Sequence, residues 1–65
     1  MKVRYFPDTD TLLVNFSEAR IVDSRDISED VLVELDENGR IVSMTIEHAK
    51  QQTNVDEFTY QLATA

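Results

Sequence analysis

The dipeptide Asn38-Gly39 lies between two runs of alternating apolar and polar side chains, and it restricts the fold more than any other feature. Gly39 is the only glycine in the 65 residues. Asn-Gly favours a type I′ turn because both residues tolerate positive φ. With these two residues in the turn, the predicted pairs are Val31 with Ile46, Val33 with Met44, Leu35 with Val42, and Glu37 with Arg40. The sequence therefore predicts a β-hairpin with one apolar face.

A second hairpin is predicted at the start of the chain. Lys2 to Phe6 and Thr11 to Phe16 both alternate with the period of two that is typical of a half-buried strand. The segment 7–10, Pro-Asp-Thr-Asp, has the residues of a turn. A loop over these residues places Tyr5 beside Leu12 and Val3 beside Val14.

The rest of the chain has weaker patterns. We expect 17–28 to be a connection with a short edge strand near Arg20 to Asp23. Residues 47–52 contain good helix formers and predict a short helix. For the end of the chain two alternatives stay open. Asn54 and Glu57 have the spacing of a capping box and favour a helix, whereas alternating Phe58, Tyr60 and Leu62 favour a strand-like segment.

Composition excludes several classes of function. Thirteen acidic residues against six basic ones give a net charge of -7, which argues against binding nucleic acid or anionic lipid. With no cysteine, disulfides and thiolate zinc sites are impossible. We find neither an apolar run of about 20 residues nor a signal-peptide pattern, and we expect a cytoplasmic protein.

Few residues suggest chemistry. Asp8, Asp10 and His48 are the candidates for a small enzyme or ligand-binding protein. The two aspartates lack the further ligands of a calcium loop, and a single histidine without cysteine makes a poor transition-metal site. We therefore predict no catalytic residue, no metal and no cofactor, and we expect turn or surface roles for all three.

The short chain also predicts association. A domain of this size buries only about 60 % of its unfolded surface, and one short helix leaves the apolar face of the hairpins uncovered. We expect a homodimer, with Phe58, Tyr60 and Leu62 of the tail 55–65 as partner contacts.

The order of these elements resembles a known bacterial family. Lys2 to Leu12, Phe16-Ser17, Val31 to Val42 and Ile46 to Ala49 are similar to the short acidic proteins called domain of unknown function 2283. The resemblance implies a small β-rich α+β domain over roughly residues 2 to 50, without established activity and without catalytic residues to transfer. The association of some members with small toxin-like proteins implies an antitoxin-like or accessory role.

Together these observations predict one domain over 1–65 of the α+β class. It is a mainly antiparallel β-meander of two hairpins and about four strands, with a short helix and a strand-like or helical end. The predicted function is a non-enzymatic protein-binding module with a basic protein as a candidate partner.

Overall fold

The computed structural model describes residues 1–64, so that Ala65, the end of the predicted contact tail, lies outside the described residues. The described part contains five strands and one helix. Their bounds are β1 Lys2–Phe6, β2 Thr11–Asn15, β3 Asp23–Ser28, β4 Val31–Leu35, β5 Ile41–Glu47 and α1 Ala49–Gln52. The strands form one antiparallel sheet in the order β1-β2-β5-β4-β3. The fold is therefore mostly β, with a smaller helical part than the predicted α+β class implies.

The first hairpin has the predicted register. Val3 pairs with Val14 and Tyr5 pairs with Leu12. Since facing residues of antiparallel strands share a face, all four side chains lie on one side of the sheet. The periodicity of two and the length of the turn together were enough to define this pairing.

The turn between β4 and β5 differs from the prediction. Gly39 has a φ of 77°, but Asn38 is not among the residues with positive φ, so the turn is not type I′. The Gly39 N–H donates to the Asp36 carbonyl oxygen (3.0 Å), and the Asp36 N–H donates to the Arg40 carbonyl oxygen (2.9 Å). This is a three-residue loop closed by a left-handed glycine. The predicted pair of Glu37 with Arg40 is wrong because Glu37 lies inside the loop.

The longer loop also changes the register near the turn. The predicted pairs further from the turn, Val33 with Met44 and Val31 with Ile46, are confirmed. Leu35, however, pairs with Ile41 instead of Val42 because the register shifts between Glu34 and Leu35. A β-bulge, in which two residues of one strand oppose one of the other, accounts for this shift.

The predicted meander of two hairpins is confirmed only in part, because both hairpins form but the sheet has a fifth strand and a different order. β2 pairs with β5, and β3 lies at the far edge beside β4, where it forms a third hairpin. The connection 16–22 passes the ends of β5 and β4, where Phe16 and Val22 donate to the carbonyl oxygens of Val42 and Leu35. β3 begins at Asp23, where the predicted edge strand ends. Its residues are all exposed, and a strand without a buried face lacks the alternation that identifies one.

The C-terminal part is less regular than predicted. The helix α1 is confined to Ala49–Gln52, because Glu47 belongs to β5 and His48 takes the left-handed conformation at the N-cap. Segment 53–64 is neither helix nor strand, so both predicted alternatives are wrong for it. The Asp56 N–H donates to the side chain of Asn54 (3.1 Å), which makes a local turn instead of a helix cap.

Candidate functional site

The register divides the side chains of the sheet into two faces of different chemistry. We call one the apolar face, and its apolar members are Val3, Tyr5, Leu12, Val14, Val31, Val33, Leu35, Val42, Met44 and Ile46. We call the other the polar face, and it includes Lys2, Arg4, Leu13, Asn15, Glu34, Ser43, Thr45 and Asp26. Of the apolar members, Val33, Leu35 and Val42 are buried, and the others are half-buried. One sheet face thus presents apolar side chains that the chain covers only in part.

The tail, with residues 53 and 54 that join it to α1, lies beside the β1–β2 half of the apolar face. Residues 53–58 and the side chains of Val3, Tyr5 and Leu12 enclose a gap of about 370 Å³. Phe58 and Tyr60, together with Met1 and Val3, line another gap of about 530 Å³. The tail therefore lies over this half of the face without filling the space beneath it.

The predicted partner contacts are on the surface of the single chain. Phe58, Tyr60 and Leu62 are 63 %, 69 % and 82 % exposed. Three large apolar side chains in one short segment without a covering layer are the kind of patch that marks an interface on a soluble protein. Their part in binding stays a prediction, which the experiments below test.

The exposed surface of the whole chain is large for its mass. A compact monomer of 7.5 kDa is expected to expose about 4,200 Å². The chain exposes 5345 Å². The exposed connection 16–22, the exposed strand β3 and the exposed tail contribute to this difference of about 1,100 Å², together with an apolar face that the tail covers only in part.

Asp10 joins the first turn to the helix. Its carboxylate accepts hydrogen bonds from the Tyr5 hydroxyl (2.6 Å) and from the Lys50 N–H (3.2 Å), and its carbonyl oxygen accepts one from the Ala49 N–H (3.0 Å). The hydrogen bond to Asp10 raises the pKa of Tyr5 to about 12. Asp10 has a φ of 55°, a conformation that aspartate tolerates better than most residues. This role of Asp10 was not predicted, although a tyrosine before the turn and an aspartate at its end are a signal for it in the sequence.

His48 lies at the same corner of the sheet. Its Nδ1–H donates to the Asp30 carboxylate (2.9 Å), and its φ of 53° turns the chain from β5 into α1. The hydrogen bond to Asp30 raises the pKa of His48 above its usual value. Asp8 is exposed in the first turn. Asp10 and His48 thus lie together and make contacts that stabilise the fold. Asp30 was not predicted as the partner of His48, because the two residues are distant in sequence.

We expect an Asp30→Asn substitution to lower the pKa of His48 towards its ordinary value of 6.5, because it removes the charged acceptor. Protonated His48 stabilises the fold, because its pKa is raised in the folded state. This contribution is fully present below pH 6.5 and is lost as the pH rises through the folded-state pKa. The His48 ring protons, followed by NMR across a pH titration, measure the shift. Glu47→Gln is the control, since the charge of Glu47 is a smaller cause, and equal shifts in both variants would contradict the Asp30 contact.

The described residues set limits on other kinds of site. Within residues 1–64, no group of three or more His, Cys, Asp or Glu side chains is arranged to hold a metal ion. Asp26 of β3 and Glu29 and Asp30 of the following turn line a gap of about 180 Å³ together with Leu32 and Thr45 of the polar face. Over the same range, none of the helical structure has the length and apolar character needed to span a membrane.

A single antiparallel sheet with one open apolar face and an attached tail defines this as a small β-sheet protein with a candidate binding surface. The family whose description is Protein of unknown function (DUF2283) matches residues 2–50. The chain belongs to this family, and the predicted resemblance is confirmed. Searches of the curated proteins and of the solved structures found no significant match. The family match ends within α1, so that the tail lies beyond it.

Proposed function

We propose that this protein is a non-enzymatic binding module that buries its apolar face against another polypeptide chain. The observation that carries the proposal is the surplus of about 1,100 Å² of exposed surface over a compact monomer of this mass. A standard protein interface buries about 800 Å² on each partner. The surplus is therefore large enough to supply one whole interface.

The charge of the chain supports a second feature of this function, a basic protein as partner. The net charge is -7, and complementary fields speed the encounter of oppositely charged proteins. The acidic residues at the end of β3 and in the turn after it, Asp26, Glu29 and Asp30, give this charge a local focus. An antitoxin-like or accessory role, in which the chain holds a small basic protein, fits this distribution.

The alternative of an enzyme that uses Asp8, Asp10 and His48 has less support from the geometry. Asp10 and His48 make hydrogen bonds within the fold, to Tyr5 and Lys50 in one case and to Asp30 in the other. A general base must reach a substrate proton. The described contacts of these two residues are those of positioning groups, which favours the binding function.

Photo-crosslinking in the native host tests the proposal. A photoreactive phenylalanine is placed at Val14 on the apolar face, at Leu13 on the polar face, or at the exposed Ile27 of β3, which lies between Asp26 and Glu29. Val14 and Leu13 are neighbours on one strand and are both half-buried, so they form a matched pair. We expect a protein adduct from Val14 and from Ile27, because these sites lie at the proposed contacts, and none from Leu13.

Mass spectrometry of the adducts identifies what was captured. A basic protein captured at Ile27 supports the antitoxin-like or accessory role. No adduct at Val14, or equal adducts at Val14 and Leu13, would overturn binding through the apolar face. A circular dichroism spectrum of each probe-carrying variant checks that the sheet still forms.

A further inference from the structure

We propose that the polypeptide on the apolar face is a second copy of this chain, related to the first by a two-fold axis parallel to the strands. In this dimer the tail of each chain lies between its own β1–β2 half and the β4–β3 half of the other copy. The proposal deepens the proposed function and rests on it, because it names the partner that the apolar face binds.

The shape of the chain supports a partner of matching size. The radius of gyration is 12.8 Å, whereas a compact domain of this length has one of about 11 Å. The extents of 34 × 32 × 18 Å describe a plate. A second plate of the same outline is large enough to cover the whole apolar face, with the two tails lying between the sheets. A symmetric dimer is also the commonest oligomer of soluble proteins.

The position of the tail selects the direction of the two-fold axis. The tail thickens the chain over β1 and β2, where it lines gaps with Val3, Tyr5 and Leu12. A two-fold axis across the strands places the tail of one chain on the tail of the other. The two tails then hold the β4–β3 halves of the two chains apart. An axis parallel to the strands places β1 over β3 of the other copy, because β1 and β3 are the two edges of the sheet. Each tail then fills the space over the thinner half of the other chain.

Charges on the apolar side favour the same direction. Arg25 pairs with Val33 across β3 and β4 and therefore lies on the apolar face. Its side chain is 70 % exposed and contacts Asp23 at 3.5 Å. The tail carries Asp56 and Glu57 beside the opposite half of the sheet. The axis parallel to the strands brings Arg25 close to these two acidic residues of the other copy. The axis across the strands instead brings the acidic residues of the two tails together, and it brings the two Arg25 side chains together.

The tail residues that are exposed in one chain become interior in this dimer. Phe58 and Tyr60 line the gap of about 530 Å³ and face outward over the sheet. Aromatic side chains at a buried interface contribute strongly to binding. Because both side chains are exposed in the single chain, Phe58→Ser weakens the dimer without a matching loss in the stability of the monomer.

Sedimentation equilibrium of the purified full chain over a dilution series tests the dimer. The unchanged chain is expected to have twice the mass of one chain at high micromolar concentration and to dissociate on dilution. Val14→Glu is expected to raise the dissociation constant at least about 100-fold, because it buries an unpaired charge in the interface. Leu13→Glu, on the opposite face of the same strand, is expected to change it less than about threefold, because surface changes have small effects.

A second matched pair guards against variants that fail to fold. Met44→Glu lies on the apolar face of β5 and Thr45→Glu on its polar face, and both positions are half-buried. Circular dichroism verifies the fold of each variant. A loss of association in Met44→Glu but not in Thr45→Glu repeats the expected result on another strand.

Charge reversal tests the direction of the axis. Arg25→Glu alone is expected to weaken the dimer about fivefold, since exposed ion pairs are worth less than about 1 kcal/mol. Adding Asp56→Lys and Glu57→Lys is expected to restore the dissociation constant to within about twofold of the original. Failure of this rescue, with the face-specific effects intact, would overturn the parallel axis.

The outcomes also separate this proposal from the function on which it rests. A monomer mass at high micromolar concentration would overturn the dimer. If Val14 then still captures a different protein in the host, the binding function stands with another partner. If Val14 captures nothing either, both proposals fall.

Discussion

Replacing Asp10 with alanine is expected to lower the free energy of unfolding by about 2–4 kcal/mol. The substitution removes the acceptor of the hydrogen bonds from Tyr5 and Lys50, and loss of a helix N-terminal acceptor alone costs about 1 kcal/mol. It also places alanine at a φ of 55°, where strain of about 1–3 kcal/mol is typical for ordinary residues. Urea denaturation at one fixed protein concentration measures the loss, since association changes apparent stability.

Asp10→Asn is the matched control for this prediction. Asparagine tolerates positive φ and keeps an oxygen acceptor for the Tyr5 hydroxyl and the Lys50 N–H. We expect it to lose less than half as much stability as Asp10→Ala. The variant also replaces the carboxylate, whose hydrogen bond is the largest cause of the raised pKa of Tyr5 and whose charge is a smaller one, so that an ultraviolet titration should show a lower pKa. If both variants have the urea midpoint of the parent, Asp10 does not join the turn to α1.

Replacing Gly39 with valine is expected to lower the free energy of unfolding by about 1–3 kcal/mol. Gly39 has a φ of 77°, a conformation that a β-branched residue strongly resists. A Cβ atom at this position meets nothing within 4 Å. The loss therefore comes from the backbone conformation and not from a clash.

The variant Gly39→Asn separates backbone strain from a steric clash as the cause of the loss. Asparagine is larger than glycine but tolerates the left-handed region, so we expect most of the stability to remain. The comparison is made by urea denaturation of the three proteins under the same conditions. Equal midpoints for the valine variant and the parent would show that the turn does not need positive φ at this position.

The sequence predicted the parts of the fold in which one face of a strand is apolar. The register of Val3 with Val14 and of Val33 with Met44 followed from a period of two and a nearby turn. The shift at Leu35 did not follow, because Asn-Gly is compatible with both a two-residue and a three-residue loop. One residue in the loop was enough to change the partner of Leu35.

Other features had no local signal. The strand β3 is exposed on both faces, so its sequence shows no alternation. The order of the strands depends on the pairing of β2 with β5, which joins residues about 30 positions apart. Asp10 and His48 were recognised as candidates, but their contacts with Tyr5 and Asp30 depend on how distant segments meet. The alternation of Phe58, Tyr60 and Leu62 in the tail is typical of a strand. Such a segment forms a strand only when its backbone pairs with a free strand edge.

The pairing of β2 with β5 also sets the order in which the chain can assemble. β1 and β2 form one local hairpin, and β3, β4 and β5 form two consecutive ones, so each piece needs only short loops to close. Their union requires closure of a much longer loop, which slows folding because entropy is lost before the contacts form. Asp10 and Ala49 meet at the seam between the two pieces. We therefore expect the contacts of Asp10 with Ala49 and Lys50 to form after the folding barrier, so that their loss accelerates unfolding more than it slows folding.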